Sequence, residues 1–594
     1  MAVRASKPLD LGTGRVIVSF DPRSAGWLSI GTPHPRHGFV ELNAIPPFDE
    51  AARGDPAATR RHRLAMTRAA HALLIVEVDG EAPALEPDCG DPARIGWSSP
   101  PISVVATAPP GTGAVRQQWT VRSLAGHRPT ITLRLRGHLD RPALAEITET
   151  DPPPPTGAST TFEIRGATVR VAARALPAEL LVRVVGAAVH WQPGCEGTRG
   201  SVAWPSGPEQ LTFEIVAGLD ARPAPPATAA SSEDDRLVGR ALAYVRGCTA
   251  LQVATGERVM LTDHRILPLS WTRDAYWQAL ALLVADAPGD REIVADHLRW
   301  LWRRCERPDG RWVRSHHASG RRKDLAFQAD QQLYPIVELA DFWRLDGALP
   351  DGVDWAAEIS RAWLAAVAEI DPGSGLIASA ENAADDPVAA PFIAASQILL
   401  WCAAGRLAEL APAAGLDRAP FARAADAAHA AFEAAFARGG AWPYAVGPGG
   451  QRVTYHDAND LPTALAPLWG FCTRDDPGWR ATMSFAFSRA NPAWVDGARP
   501  GLGSLHTPGP WTLGDLQAWI RAVVLADEPA AGAAVRRLET VAFADGMLPE
   551  AYGADYERRV RHWFAWPGAA FAALRSLQRA RRIDRLRVQI GSVA

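Results

Sequence analysis

The sequence predicts a multidomain α+β chain, an N-terminal antiparallel β-sandwich followed by an (α/α)6 barrel. Three observations lead there. Short β-leaning runs fill the first 222 residues. A stretch rich in Pro, Ala and Ser follows, and helical periodicity takes up the remainder of the 594 residues. The expected organisation is residues 1–222 as sandwich, 223–233 as linker and 234–594 as the barrel domain.

The strand signal recurs at Arg15–Phe20, Ala72–Val78, Val115–Val121, Thr130–Arg136, Thr161–Ile164, Thr168–Val171 and Gln210–Ile215. Several of these runs alternate apolar with polar residues, as a sheet with one buried face requires. Pro and Gly punctuate them, most densely at Asp151-Pro-Pro-Pro-Pro155. The segment Arg222–Ser232 has the composition of a linker. Twelve amphipathic segments then begin near residues 234, 272, 290, 329, 353, 391, 418, 461, 477, 512, 529 and 565. Twelve helices in sequential antiparallel pairs meet the requirement of an (α/α)6 barrel. A superhelical array would show self-similarity at a fixed period, and there is none.

Composition narrows the function classes. With 47% hydrophobic and 21% charged residues and a net charge of −3, the chain is globular and has no basic stripe for nucleic acid. The N-terminal Met1-Ala-Val-Arg-Ala-Ser-Lys-Pro lacks the apolar core of a secretory signal, and apolar runs such as Ala279–Ala285 are too short to span a membrane. A cytoplasmic protein with no membrane contact is expected. Six scattered cysteines show no CxxC and no metal-ligand spacing, so they are expected reduced, and neither a metal nor another cofactor is expected.

Two acidic turns carry the functional argument. Glu381-Asn-Ala-Ala-Asp385-Asp386 and Met547-Leu-Pro-Glu550 each place carboxylates between helical segments, in a chain with 22 Trp. Two carboxylates brought from different loops into an aromatic pocket can hydrolyse a glycosidic bond, one protonating the departing oxygen and the other activating water. Ser270-Trp271-Thr272-Arg273-Asp274 sets Arg beside Asp with an aromatic neighbour, a combination that grips adjacent hydroxyls while a ring covers the sugar's apolar face. Gln328-Ala-Asp330-Gln-Gln adds amides that need several partners, and Asp330 also reads as a helix cap. Asp457-Ala-Asn-Asp460 precedes an apolar run, where Asn459 or Asp460 could equally cap the next helix. A loop from Gly501 through His506 ends on Trp511, and Glu550 is followed by Arg561-His562-Trp563-Phe564-Ala-Trp566.

In these blocks the chain resembles family 125 of the glycoside hydrolases, exo-acting α-mannosidases on an (α/α)6 barrel. Five blocks fall in the family's order across residues 270–570. Trp271-Thr-Arg273-Asp274 is similar to its Trp-Leu-Arg-Asp, and Ala329–Pro335 to its Leu-Asp-Ser-Leu-Cys-Tyr-Pro. Ala384-Asp385-Asp386 resembles Ser-Asp-Asp, and His456–Pro462 resembles Met-Asp-Asp-Ala-Asn-Val-Pro with Asp460 in place of Asn. Glu550 with Trp563-Phe-Ala-Trp566 matches His-Glu-Ser-Phe and Trp-Phe-Ala-Trp, with Pro549 replacing His. Trp-Thr-Arg-Asp and Leu-Pro-Glu also echo the glucoamylases, another inverting group on this barrel, whose bacterial relatives often carry a β domain.

The resemblance implies an inverting exo-α-glycosidase taking a terminal mannose or glucose from a carbohydrate substrate. It makes Asp385 or Asp386 the general acid, with Asp385 preferred, and Glu550 the general base. Trp271, Arg273, Asp274, Gln328, Asp330, Asp457, Asp460, His506, Trp511, Trp563 and Trp566 would line the sugar site. A phosphorylase of similar architecture and a non-catalytic glycan-binding protein remain as alternatives. The sequence fixes neither the oligomeric state nor the role of the β domain.

Overall fold

The computed structural model describes residues 7–123, 127–144, 157, 159–174, 176–219, 235–323, 325–553, 559–561 and 563–589. Two compact units are present: Ser6–Leu269 with His317–Arg321, and Ser270–His316 with Arg322–Ala594 and Met1–Ala5. The division falls between Leu269 and Ser270, further along than composition placed it. The helix Arg236–Tyr244 and the hairpin Ala250–Ala254/Glu257–Met260 therefore go with the sheets. The expected linker and the Asp151–Pro155 stretch lie outside the described residues.

The first unit holds a nine-stranded and an eight-stranded sheet, all of whose pairings are antiparallel. All seven expected strand segments are strands. The pair Ala114–Arg122 and Gln210–Gly218 shows why. Val115, Gln117, Trp119 and Val121 alternate inward and meet Leu211, Phe213 and Ile215, while Gln118, Thr212 and Glu214 face away from the core. Both sheets feed one hydrophobic core containing Trp27, Trp97 and Trp119. Its one deep amide, Gln117, accepts from Trp27 Nε1 at 2.6 Å and Trp119 Nε1 at 2.9 Å and donates to the Ala25 carbonyl at 2.7 Å, so the polar group is satisfied.

The twelve expected helices all appear, starting at 236, 272, 290, 329, 355, 394, 419, 461, 477, 512, 528 and 565, the last eleven of them in the second unit. A thirteenth, Pro56–Met66, sits among the strands and was not expected; Asp55 caps it through the Ala57 amide. In the second unit two kinds of helix alternate. Thr272–Ala285, Ala329–Asp346, Ala394–Leu410, Leu461–Trp469, Thr512–Val524 and Ala565–Arg579 are buried on nearly every side. The intervening helices bury a single stripe. Each all-round buried helix packs on the next, and the last packs back on the first, closing a ring of six.

The two kinds also begin differently. Asp354, Asp476 and Asp527 cap three one-sided helices by accepting from Ala357, Trp479 and Ala530 amides. None of the six ring helices has a side-chain cap; Trp271, Gln328, Ile393, Asp460, Trp511 and Phe564 stand at those positions. Neighbouring elements meet several ring-helix ends instead: the Arg273, Ala329, Ala394 and Thr512 amides donate to the Gln331 side chain, the Ser379 hydroxyl, and the Tyr444 and Glu550 carbonyls. All six cysteines are free thiols. No described helix is long and apolar enough to cross a membrane.

Candidate active site

Arg273, in the first turn of a ring helix, gathers residues from the starts of two other ring helices and from the acidic turn. Its backbone amide and the Thr272 hydroxyl both bond to the Gln331 side chain, which ties the start of one ring helix to the next. Buried at 3% exposure, the guanidinium meets Asp330 Oδ2 at 2.6 Å, Gln328 Oε1 at 3.1 Å and Asp385 Oδ1 at 3.7 Å. It also lies 4.9 Å from the centroid of the Trp566 ring. A planar cation with several donors suits such a multiply shared position, which Lys would not fill. Asp330 thus spends its carboxylate on Arg273 and not on capping its own helix, whose N-cap position belongs to Gln328.

The turn before the third ring helix brings the acidic pair. An antiparallel bridge between Glu381 and Pro387 closes it, and Asn382 Oδ1 accepts from the Ala384 and Asp386 amides at 2.9 and 3.0 Å. Asp385 takes a left-handed backbone, with φ of 66°, a conformation Asp tolerates better than most side chains. The two acids then part company. Asp385 Oδ1 accepts from Gln328 Nε2 at 2.6 Å, whereas Asp386 Oδ1 lies 3.0 Å from His506 Nδ1. The hydrogen bond to Asp386 is the main reason His506 is pushed above its ordinary value; Glu550 adds to the rise, while burial and Arg561 oppose it. His506 therefore stands within electrostatic reach of both acidic turns.

Glu550, 4% exposed, sits where the chain turns into the hairpin Ala551–Tyr552/Arg559–Val560. The Thr512 amide donates to its carbonyl at 3.0 Å, so a ring-helix N-terminus holds its backbone. Arg561 Nε faces Glu550 Oε2 at 3.1 Å. Further along the hairpin, Tyr552 donates to Asp515, which Arg537 also holds at 2.7 Å. Burial pushes Asp515 up to about 6 against the pull of Arg537.

Beside Arg273 lies a narrow cleft lined by Asp330, Tyr334, Glu381, Ser396, Asn459 and Asp460 among others. Some expected site residues are elsewhere engaged. Asp457 is saturated by its own surroundings: Tyr455 and Ser504 hydroxyls and both the backbone and side-chain N–H of Asn459 donate to it. Trp511 is buried in a core cluster with Tyr444, Tyr455 and Leu502 and donates to the Thr507 carbonyl at 3.0 Å. Trp271, Asp274, Trp563 and Trp566 are all buried, Trp566 against the Arg273 guanidinium. His562 lies outside the described residues.

Glu381 and Arg314, absent from the expected set, also join the site. Glu381 accepts from Gln328 Nε2 at 3.0 Å and from Arg314 Nη1 at 3.2 Å through each of its oxygens. Glu381 was visible in the acidic turn. Arg314 lies in an irregular stretch with no motif, so only the fold brings it here.

Residues 363–575 match the profile of glycoside hydrolase family 125. That family is described as metal-independent alpha-mannosidase, and the match includes the Asp385–Asp386 turn, Asp460, His506 and Glu550 but not the site residues before 363. Two solved structures share the fold. One is a Streptococcus pneumoniae metal-independent alpha mannosidase in a non-productive complex with alpha-1,6-mannobiose; it is 18% identical, with a TM-score of 0.51 over 58% of this chain and 93% of that one. The other is a bacterial glucoamylase complexed with acarbose; it is 10% identical, with a TM-score of 0.61 over 99% of this chain and 95% of that one. No curated protein matches the chain.

Proposed function

We propose that this chain is an inverting exo-α-glycosidase that removes a terminal mannose or glucose. The observation that carries the reading is the convergence, around His506, of the Asp385–Asp386 turn and the Glu550 hairpin beside the Arg273 pocket. The closed ring of six helices supports an (α/α)6 barrel, and the family match favours mannose.

In this reading Arg273 and Asp330 hold hydroxyls of the terminal sugar at the closed end of the site. Asp385 is the proton donor. Its Oδ1 accepts from Gln328, which orients the carboxyl and leaves Oδ2 to carry the proton to the glycosidic oxygen. Asp386 pairs with His506 on the other side of the turn. Glu550, oriented by Arg561, takes a proton from water on the opposite face of the ring. Inversion requires the two carboxyls to stand roughly 6.5–9.5 Å apart, leaving room for that water. Glu550→Gln is the test: turnover of α-mannosides and α-glucosides should fall by about 10²–10⁴-fold with sugar binding retained. Turnover close to native would remove Glu550 from the role.

A further inference from the structure

Asp460 is the anomaly of the pocket. It occupies the N-cap position of Leu461–Trp469, yet its carboxyl makes no bond to that helix end. Its amide donates to the Asp457 carbonyl at 3.1 Å, and its carboxyl also feels the Asp457 backbone. The side chain, 2% exposed, lines the pocket together with Asp330 and Glu381. One guanidinium on that wall, Arg273, is already shared between Asp330 and Asp385, and Glu381 is met by Arg314. A third anion there would have no cation of its own. Burial first, and then the Asp457 and Asp330 charges, push the Asp460 carboxyl well above the usual carboxylate range, against the opposing pull of the Asp457 backbone and of Arg273. The buried Tyr444 phenol, which feels the Asp460 charge and is itself pushed up, adds no positive charge.

We propose that Asp460 serves the terminal-sugar pocket as a neutral carboxylic acid, donating its proton in a hydrogen bond to a sugar oxygen and so determining which terminal sugar is held. The inference rests on the pocket being the terminal-sugar site. It also accounts for the substitution noted in the sequence, since a protonated acid offers one donor and one acceptor in the space of the Asn that the resembling block carries. A carboxylate can only accept from a sugar hydroxyl; as a neutral acid Asp460 also makes the complementary contact to a sugar oxygen that accepts. The sugar then binds to the protonated form, and binding weakens as pH rises through the Asp460 titration.

Two measurements on the native protein and Asp460→Asn test this without turnover. Infrared difference spectra at neutral pH should show the carbonyl band of a protonated acid in the native protein and its loss in the variant. Mannose and glucose binding, measured calorimetrically from about pH 5 to about pH 9, should weaken in the native protein by about tenfold per pH unit above the midpoint. The variant should lack that slope. A carboxylate signature in place of the acid band, an equal slope in both proteins, or binding of neither sugar by the native protein overturns the proposal. A Glu550→Gln enzyme that still turns over would overturn the catalytic reading and leave these results untouched.

Discussion

Arg273→Met tests the centre of the site most severely. The change keeps a long side chain and deletes the charge, leaving Asp330 and Asp385 facing each other across the space where the guanidinium stood, at 2.6 and 3.7 Å from its nitrogens. Breaking a buried ion pair by removing one partner costs about 3–5 kcal/mol, because the remaining charge stays desolvated. The lost stacking on Trp566 adds on the order of 1–2 kcal/mol. Asp385 retains its bond from Gln328, which offsets part of the loss, so about 3–5 kcal/mol is the expected total. Urea unfolding followed by Trp fluorescence reads the change, because Trp566 and Trp271 lie at the site. Asp330→Asn combined with Arg273→Met should recover part of the stability, and the deficit should shrink at acid pH as carboxylates take up protons. A deficit under about 1 kcal/mol would mean that Arg273 is not the counter-charge of the site.

Two further predictions separate the residues around the reacting bond. Asp385→Asn should slow glycosides with poor leaving groups by about 10²–10⁴-fold and spare those with activated phenolate leaving groups; the same pattern from Asp386→Asn in its place would exchange the two roles. His506, raised by its bond to Asp386, contributes stability that is fully present below the ordinary histidine value of about 6.5 and is lost as pH rises through the raised one. The melting-temperature gap between native protein and His506→Gln should therefore be wider near pH 6 than near pH 9; a gap that widened with pH would contradict the ion pair.

The sequence carried the architecture through period and punctuation. Strands such as Ala114–Arg122 alternate from Val115 onward, and the helices begin within a few residues of where the pattern changes. Less legible were elements whose signal is broken or local. Trp27–His34 is interrupted by Gly31 and Pro33, and Pro56–Met66 announces itself only by an Asp-Pro start. At the site, Arg273, Asp330 and Asp385, singled out from three separate motifs, come together at one guanidinium. Which carboxylates stay available was invisible, because that depends on partners remote in sequence. Ser504 and Tyr455 saturate Asp457, and Arg314 reaches Glu381 from 67 residues away. The absence of a cap bond at Asp460 was equally hidden, since an acid before a helix reads as a cap until its direction is seen.

The central claim is hydrolysis with inversion, and a proton NMR time course on a panel of α-linked manno- and gluco-disaccharides tests it directly. The account predicts that one of them releases its terminal sugar first as the β-anomer, in buffer free of phosphate. Release of the α-anomer, release only when phosphate is added, or binding without release would contradict it.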